Sequence, residues 1–524
     1  MASSDNVDDN FIHLIKQRLE ISVCRNGKDG CNECTRFAEL KDKIQRSLEE
    51  MSRSLSELQS LKADTNQAHS SIIEKIPAEI TSTIFELSLP FSAMNANDSR
   101  NGVEHDVYGA LVRLGGVCRL WREIAGSTPR FWDTVLIRLP VDSKQNYIPL
   151  LRDWIARSKS LPLTLTVVFH DGRIMPASET FYNDLFKVLA SSSNRWRFVN
   201  IKLSEFMTAQ LFAQTKNLSL IHTLKIITPG DHPFATLWTT VRPRPHTARI
   251  WGFSMEQARM DCGILTRVEV GLWEVSDCIE LVHSSPMLEE CKFRGVSEDS
   301  RLASPTNIVN LTDKNPYAHP NMRILDYSGE KETVGFFSHF SFPSLTTLSC
   351  HFYYGTFLLP ELLEFENFLK RSCSSLDSLR LYGSAVTASD ALNCIYNVTP
   401  VITTLRLSPD EDDDMGENED ALAGTLLALS RTTLRSDSFL SRLEILEYSM
   451  PLPKNCSWDL AFESFGPLEE IGQPHRRPFK LLEVRGARFP ESKKNMDIVN
   501  SKLRKLEKAG ARIRFVGLYS TLSF

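Results

Sequence analysis

Three cysteines near the N-terminus come closest to the residue types and spacing of a chemical site. Cys31 and Cys34 form a Cys-x-x-Cys pair, and Cys24 precedes them. A structural zinc ion needs four ligands, usually two such pairs or one pair of cysteines and one of histidines. No second pair follows nearby, and nothing fixes the distance of His13 as a fourth ligand. The sequence therefore predicts free thiols in a flexible segment and no bound metal.

An acidic run at residues 409–420, PDEDDDMGENED, is a second candidate because calcium prefers carboxylate oxygens. The run lacks the arrangement of Gly and Glu that an EF-hand calcium loop requires. We predict a solvated or disordered loop instead. The chain also lacks a phosphate-binding Gly loop, a His-Glu-x-x-His motif and a Gly-x-Ser-x-Gly motif. The sequence thus predicts a protein that is not an enzyme and needs no cofactor.

Composition and charge are those of an ordinary globular protein. The chain has 524 residues, 42% hydrophobic and 24% charged, a length typical of about three domains. The formal net charge of −5 gives no reason to expect a nucleic-acid partner, and the 11 scattered cysteines favour a reducing compartment. The sequence shows neither a signal peptide nor an apolar run long enough for a membrane span. We therefore expect a protein of the cytoplasm and/or nucleus with no membrane partner.

Residues 40–61 predict an amphipathic helix. Its apolar side chains alternate by four and three residues, and they are Ile44, Leu48, Met51, Leu55 and Leu58. This is the spacing of a coiled-coil seam, maintained for about three heptads. Two interpretations stay open: the helix packs on its own chain, or it self-associates with a second copy.

Two apolar helical segments follow, separated by a polar insert at residues 91–110. The first begins with the stretch IPAEI at residue 76. Pro77 suits the first position of a helix, and Glu79 suits its positively polarised end. In the second segment, apolar residues recur at three and four from Leu111 to Ala125, which predicts an amphipathic helix.

These pieces resemble an F-box. The resemblance is carried, in order, by PAEI after Ile76, by Ile84 and the adjacent Phe85, by VCRLWREIA from Val117, and by STPRFW from Ser127. The chain is similar to the F-box-like proteins abundant in mushroom-forming fungi, which carry an N-terminal coiled coil and a linker much like QAHSSIIEKIP here. Ile76 stands where that family usually has Leu, and the insert between the helices is longer than typical.

The resemblance implies that this segment docks on a Skp-type adaptor and, through it, on a cullin-based (SCF) ubiquitin ligase. The implied adaptor-binding residues are Ile76, Pro77, Ile80, Ile84, Phe85, Val117, Cys118 and Trp121. Short helices cannot bury so many large side chains among themselves, so we expect an exposed apolar patch. The alternative is that these residues pack on the rest of the chain.

A recurring pattern, apolar-x-x-apolar-x-apolar, runs through the C-terminal body. Its last three residues alternate as in a short strand. The pattern begins at Trp132, Phe198, Ile221, Leu265, Leu288, Met322, Leu345, Leu376, Ile402, Leu443 and Phe479. Gly295, Gly329, Gly383 and Gly486 follow four of these strands and would permit the positive φ of a tight turn.

Three intervals between successive patterns are 23 residues long, within the range of leucine-rich repeats. The longer interval from Ile221 to Leu265 leaves room for a degenerate repeat. We therefore predict an α/β fold class: an N-terminal amphipathic helix, a small all-α F-box-like helix set, and an irregular leucine-rich-repeat solenoid with a curved parallel sheet and helices outside. A general α/β body with a less regular sheet is the alternative.

The predicted domains are a flexible N-terminus (1–34), an amphipathic or coiled-coil helix (35–69), an F-box-like domain (70–140) and a repeat-like substrate-binding domain (141–524). The resemblance implies a substrate receptor of an SCF ubiquitin ligase, in which the helix set binds the adaptor and the repeats bind an unknown target protein. The alternative is a non-enzymatic scaffold that self-associates through residues 40–61 without joining a ligase.

Overall fold

The computed structural model divides into two compact units, Met1–Trp132 and Asp133–Phe524. The structure describes residues 32–69, 76–89, 107–139, 147–169, 179–228, 237, 241–298, 315–353, 359–383, 401–408, 417–434, 439–455, 458–488, 493–516 and 521–522. The cysteine prediction concerns Cys24 and Cys31, which lie outside these residues, and Cys34, of which only the backbone is described. The four predicted domain bounds stay predictions.

The described part of the first unit is helical. Its α-helices are α1 (Asn32–His69), α2 (Ala78–Ser88), α3 (Val107–Gly115) and α4 (Arg119–Ser127). A single 3₁₀ turn, Pro129–Phe131, follows α4. The helix predicted over residues 40–61 lies within α1, which extends beyond it at both ends.

The single helical segment predicted from Leu111 to Ala125 is wrong, because the structure has two helices there. The backbone N–H of Gly116 donates to the carbonyl of Val112 at 2.9 Å and closes α3. Cys118 then caps α4, its Sγ accepting from the backbone N–H of Trp121 at 3.5 Å. The break falls at a pair of adjacent glycines, which are poor helix formers.

Two helix starts also differ from the prediction. Pro77 is the N-cap residue before α2 and not its first helical residue, since its ψ of 147° is extended. Its carbonyl accepts from the backbone N–H of Ile80 at 3.0 Å. Helix α3 begins at Val107, inside the stretch predicted as a polar insert. Glu79 lies in the first turn of α2, as predicted.

The second unit is α/β and contains a large, mainly parallel sheet. Its strands are β1 (Thr134–Leu139), β2 (Leu163–Phe169), β3 (Trp196–Lys202), β4 (Thr223–Ile227), β5 (Thr247–Trp251), β6 (Arg267–Gly271), β7 (Glu290–Val296), β8 (Tyr317–Ala318), β9 (Ile324–Glu330), β10 (Phe340–Ser341), β11 (Thr347–Tyr353), β12 (Ser378–Tyr382), β13 (Thr404–Ser408), β14 (Ile445–Asn455), β15 (Leu481–Arg488), β16 (Arg512–Val516) and β17 (Thr521–Leu522). Strands β8 and β10 form a separate parallel pair. The others lie side by side in chain order, all parallel except β17, which is antiparallel to β16.

Helices connect many of these strands. They are α5 (Tyr147–Arg157), α6 (Glu179–Ala190), α7 (Glu205–Ala213), α8 (Met255–Ala258), α9 (Val275–Ser284), α10 (Gly335–Ser338), α11 (Leu359–Ser372), α12 (Glu417–Arg431), α13 (Trp458–Glu463) and α14 (Lys493–Lys508). In the short strands alternate residues are buried; in β4 these are Leu224 and Ile226. They pack with apolar helix residues such as Leu185 and Leu211 in one continuous core. Among the described residues, no helix combines the length and the apolar character needed to cross a bilayer.

Aromatic side chains fill the middle of this core. Tyr327 of β9 stacks on Phe336 of α10 with ring centroids 5.1 Å apart, and Phe293 of β7 lies 5.3 Å from Phe336. The Tyr327 hydroxyl donates to the carbonyl of Thr333 at 3.1 Å. The one polar atom of this ring therefore has a partner, which its complete burial requires.

The strand pattern located most of the strands, but one register was wrong. The pattern aligned Ile201 with Leu224 of β4, whereas the structure pairs Val199 with Leu224 and Ile201 with Ile226. Ile201 and Leu203 are nevertheless both buried. Among the strands that the pattern missed are β2 and β5. The second of these lies in the interval where the sequence left room for a further repeat.

Two loop predictions are corrected as well. Gly295 and Gly383 have the predicted positive φ, of 63° and 97°. Gly329 instead lies within β9, where a Cβ atom would come 2.9 Å from the carbonyl oxygen of Val296. A glycine is therefore needed at position 329 because the neighbouring backbone packs closely against it, and not because the chain turns there. The last four residues of the acidic run, predicted as loop, begin helix α12, and residues 409–416 lie outside the description.

Candidate partner-binding surfaces

A small aromatic core holds α2 and α4 together in the first unit. The ring of Phe85 meets that of Trp121 edge to face, with centroids 4.7 Å apart, and lies 6.4 Å from the ring of Phe131. The Trp132 indole N–H donates to the carbonyl of Ala125 at 2.8 Å, which ties the 3₁₀ turn to α4. Phe85 is 1% exposed, so it supports the surface of α2 from inside.

Three residues of the predicted adaptor-binding face expose large apolar side chains. Ile80 and Ile84 lie one turn apart on α2 and are 52% and 49% exposed, and Val117 in the α3–α4 turn is 49% exposed. Pro77 is also exposed. Helical residues four apart share a face, so Ile80 and Ile84 form a continuous apolar strip.

The other predicted adaptor-binding residues are less accessible. Ile76, Cys118 and Trp121 are half-buried, and Phe85 is buried. The structure brings Phe85 and Trp121 into direct contact, whereas Cys118 has the local role of capping α4. Whether any of these residues binds an adaptor stays a prediction.

Helix α1 carries a second apolar strip. Ile44, Met51 and Leu58 are exposed, while Leu48 and Leu55 between them are half-buried. The ion pair from Arg46 to Asp42 lies outside this strip. Apolar side chains at this spacing are those that a second helix covers in a coiled coil.

The free face of the large sheet, opposite the buried core, carries the third surface. We call its middle line of side chains the central row. Its members occupy the same register position in successive strands, between the two buried residues of each. From β4 to β15 they are Lys225, Arg249, Glu269, Lys292, Asp326, Ser349, Arg380, Arg406, Glu447 and Glu483.

Ion pairs satisfy most charges of the central row. Arg249 bonds Glu269 at 3.0 Å, and Arg406 bonds Glu447 on the next strand. The Asp326 carboxylate accepts hydrogen bonds from the two terminal guanidinium nitrogens of Arg294, at 3.0 and 2.6 Å. Because these side chains are half-buried, each pair is more strongly coupled than a fully exposed one.

The pKa of Lys225, a further charged residue of the central row, is shifted by its surroundings. Burial, and then the neighbouring Arg249 guanidinium, lowers the pKa of the Lys225 ammonium below its ordinary value. A row with this density of charge can bind a partner through complementary charges. Its chemistry is therefore polar recognition.

Metal binding and thiol chemistry find no support in the described part of the chain. No group of three or more His, Cys, Asp or Glu there could hold a metal ion. Burial raises the pKa of the Cys291 and Cys350 thiols well above 9.0. These protonated, buried thiols act as small apolar core residues.

The central row was not predicted from the sequence. Its signal was present at the x position of the apolar-x-apolar part of the pattern, which is charged in Lys225, Glu269, Lys292, Arg380 and Arg406. A parallel sheet in chain order places these positions beside one another. Which of them find partners depends on register and could not be read from the sequence.

The fold and these surfaces define the chain as an α/β protein with a large parallel sheet and exposed apolar and charged surfaces. No protein-family model matches it, and no curated protein matches it either.

Proposed function

We propose that the chain is the substrate-receptor subunit of an SCF-type ubiquitin ligase. The observation that carries this proposal is the exposed strip of Ile80 and Ile84 on α2, the helix that begins at the F-box-like motif. Exposed apolar strips of this kind mark partner sites. The Skp-type adaptor is the partner that the motif order implies, and a cullin joins through the adaptor.

In this proposal the second unit is an irregular leucine-rich-repeat solenoid that holds the target protein. Its support is the order of the strands, each parallel to the next one in the chain, with helices between many of them. The target binds the free face and is thereby held near the ubiquitin-transferring enzyme. The chain itself contributes effective concentration and forms no covalent intermediate.

A binding assay with the full chain and a purified Skp-type adaptor from a mushroom-forming fungus tests this proposal. Ile84→Asp places a charge in the exposed strip and should weaken binding by about tenfold or more, because a desolvated charge opposes an apolar contact. Ser82→Asp is the matched control. It adds the same charge to the same helix at a partly exposed polar residue, two positions from Ile84 and therefore on a different side of the helix.

The proposal requires that the wild type and Ser82→Asp bind alike while Ile84→Asp does not. Circular dichroism of each protein checks that the helices are intact. A wild type that does not bind the adaptor contradicts the proposal. Equal losses of adaptor binding in both variants would contradict the assignment of Ile80 and Ile84 as the adaptor-binding strip, since the added charge alone would then explain the effect.

A second candidate is a scaffold that self-associates without joining a ligase. The exposed apolar strip of α1 favours this function, because apolar side chains at heptad spacing are those that a second helix covers in a coiled coil. The adaptor assay separates the two candidates. A scaffold does not require Ile80 and Ile84 to be available to an adaptor.

A further inference from the structure

Like charges meet on neighbouring strands of the central row at two places, Lys225 beside Arg249 and Arg380 beside Arg406. Arg380 of β12 and Arg406 of β13 are direct register partners on the free face. Neighbouring strands lie about 4.8 Å apart, and like charges directly opposite each other are destabilising. Arg406 is compensated by Glu447. Within the described residues no carboxylate pairs with Arg380, and its register partner on the other side is Ser349.

Three polar atoms around this position lack hydrogen-bond partners although they are buried. They are the Ser378 Oγ, the Arg380 Nε and the Arg406 Nε. Ser378 and Arg380 lie on the same face of β12, because they are two residues apart in a strand. Buried polar atoms in native proteins nearly always have partners, so a cluster of such atoms indicates a missing one.

Apart from Glu447, which pairs with Arg406, the side chains described next to this site are uncharged or cationic. Tyr382 lies two residues beyond Arg380 and hydrogen-bonds Arg406. The His351 ring lies 5.9 Å from that of Tyr382 and 4.4 Å from that of Tyr353. These groups form a cationic, hydroxyl-rich site flanked by aromatic rings. A group that only accepts hydrogen bonds and carries negative charge would satisfy it, and guanidinium groups bind such oxyanions in a fork geometry.

We propose that the free face of β11–β13 binds an acidic peptide of the target protein through an oxyanion held by Arg380 and Ser378. Carboxylate and phosphate oxygens share this chemistry, and both occur on protein side chains. That the bound peptide belongs to a target protein rests on the proposed function. It narrows the target to one that presents an acidic or phosphorylated segment.

Binding of labelled peptides to the full chain, measured by fluorescence anisotropy at physiological ionic strength, tests the proposal. The probes are a short glutamate peptide, a matched glutamine peptide, and the glutamine peptide with one phosphoserine. The wild type should bind at least one of the two acidic probes and not the neutral one. Comparison of the acidic probes distinguishes carboxylate from phosphate as the preferred source.

Arg380→Gln should weaken binding of the acidic probe by about tenfold, because it removes the unpaired cation. The matched control is Arg249→Gln. Arg249 belongs to the same row and also has an unpartnered Nε, but Glu269 pairs with it. Both variants change the net charge equally, so Arg249→Gln should change the affinity by less than about twofold. Arg380→Lys should restore part of the binding.

Three results would overturn the proposal. The first is that neither acidic probe binds the folded wild type, and the second is equal weakening by Arg380→Gln and Arg249→Gln. The third is binding that appears only after Asp412, Asp413 and Asp414 are all changed to Asn, which would identify the chain's own acidic segment as the occupant. Adaptor binding is measured on the same proteins. If it persists while peptide binding fails, this inference alone is lost and the proposed function stands.

Discussion

Gly383 is the residue at which the backbone leaves least freedom of substitution. It follows β12 with φ of 97°, and its N–H donates to the carbonyl of Ser408 at 2.9 Å. A Cβ atom here would come 2.1 Å from the backbone oxygen of Phe352. Because a strained φ and a backbone clash then coincide, we expect Gly383→Ala to lower the free energy of unfolding by more than about 2 kcal/mol.

Urea denaturation measures this change, and Gly424→Ala is its control. Gly424 lies within α12, and no atom lies within 4 Å of the position its Cβ would take. Alanine in a helix interior is more favourable than glycine, so this variant should gain about 0.5–1 kcal/mol. A tolerated Gly383→Ala would show that the connection after β12 has room to move.

The buried thiols make stability dependent on pH in the alkaline range. Burial raises the pKa of Cys291 and Cys350 above the ordinary value of 9.0. Below 9.0 both thiols are protonated in the folded and unfolded states. Above it, the unfolded thiols ionise while the folded ones stay neutral. The free energy of unfolding should therefore fall as pH rises, by about 1.4 kcal/mol for each thiol between about pH 8 and about pH 10.

Urea denaturation of the wild type and of a Cys291→Ala, Cys350→Ala double variant isolates this contribution. Other groups titrate alike in both proteins, so the difference in alkaline pH dependence belongs to the two thiols. The double variant should have the shallower dependence. Parallel curves would show that these thiols are accessible to water in the folded protein.

At the scale of the element, the strand pattern succeeded where its positions held large apolar residues. Two of the missed strands have proline at the first position of the pattern, Pro162 before β2 and Pro245 before β5. That position precedes the strand, so proline costs no ladder hydrogen bond there. The pattern required a large apolar side chain at its first position, but that position lies before the strand, where the backbone also accepts proline. The pattern therefore did not detect β2 and β5.

In the helix set, the positions of two helices could be predicted from the sequence, but the break between α3 and α4 could not. Composition and capping signals located α2 and α4, but periodicity concealed the break after Gly115. Which apolar residues stay exposed could not be predicted, because Ile84 and Phe85 are adjacent and equally apolar. Packing of Phe85 on Trp121 and Phe131 decides that Ile84 points outward.

The exposed strip of α1 leads to a prediction at the same scale. A second copy of the helix would cover Leu48, Leu55 and their exposed neighbours, so we expect the full chain to self-associate. Leu55→Asp places a charge on the seam and should shift the dimer towards monomer by about tenfold or more in dissociation constant. Sedimentation velocity over a range of protein concentrations measures this shift.

Ser56→Asp is the matched control for this experiment. Ser56 adjoins Leu55 in the chain, is exposed, and lies off the apolar strip. It should leave the sedimentation profile unchanged. A wild type that stays monomeric at every concentration would favour the interpretation in which α1 packs on its own chain.

At the scale of the whole molecule, the α/β class and the parallel sheet were predictable because short apolar strands alternate with helices along most of the body. The solenoid and the F-box-like identity stay proposals. The division of the chain after Trp132 falls near the end of the F-box-like stretch. The central row arises only when the strands align, so it belongs to the assembled sheet.

Hydrogen exchange followed by mass spectrometry compares these parts in one experiment. Strand β12 lies between two parallel neighbours, and its inward side chains Leu379 and Leu381 are buried, so its amides exchange only when much of the sheet opens. The described side chains of helix α1 are exposed except for those of Leu48 and Leu55, which are half-buried, so we expect this helix to open locally. We therefore expect α1 amides to exchange at least about a hundredfold faster than those of β12 in dilute protein.

Protein concentration then distinguishes the two interpretations of α1. If a second copy covers the strip, protection of α1 should rise with concentration while protection of β12 stays constant, and Leu55→Asp should abolish the rise. Constant strong protection of α1 would mean that its own chain covers the strip, since an intramolecular contact does not depend on concentration. The same data thus decide whether α1 joins two copies of the chain or belongs to the fold of one.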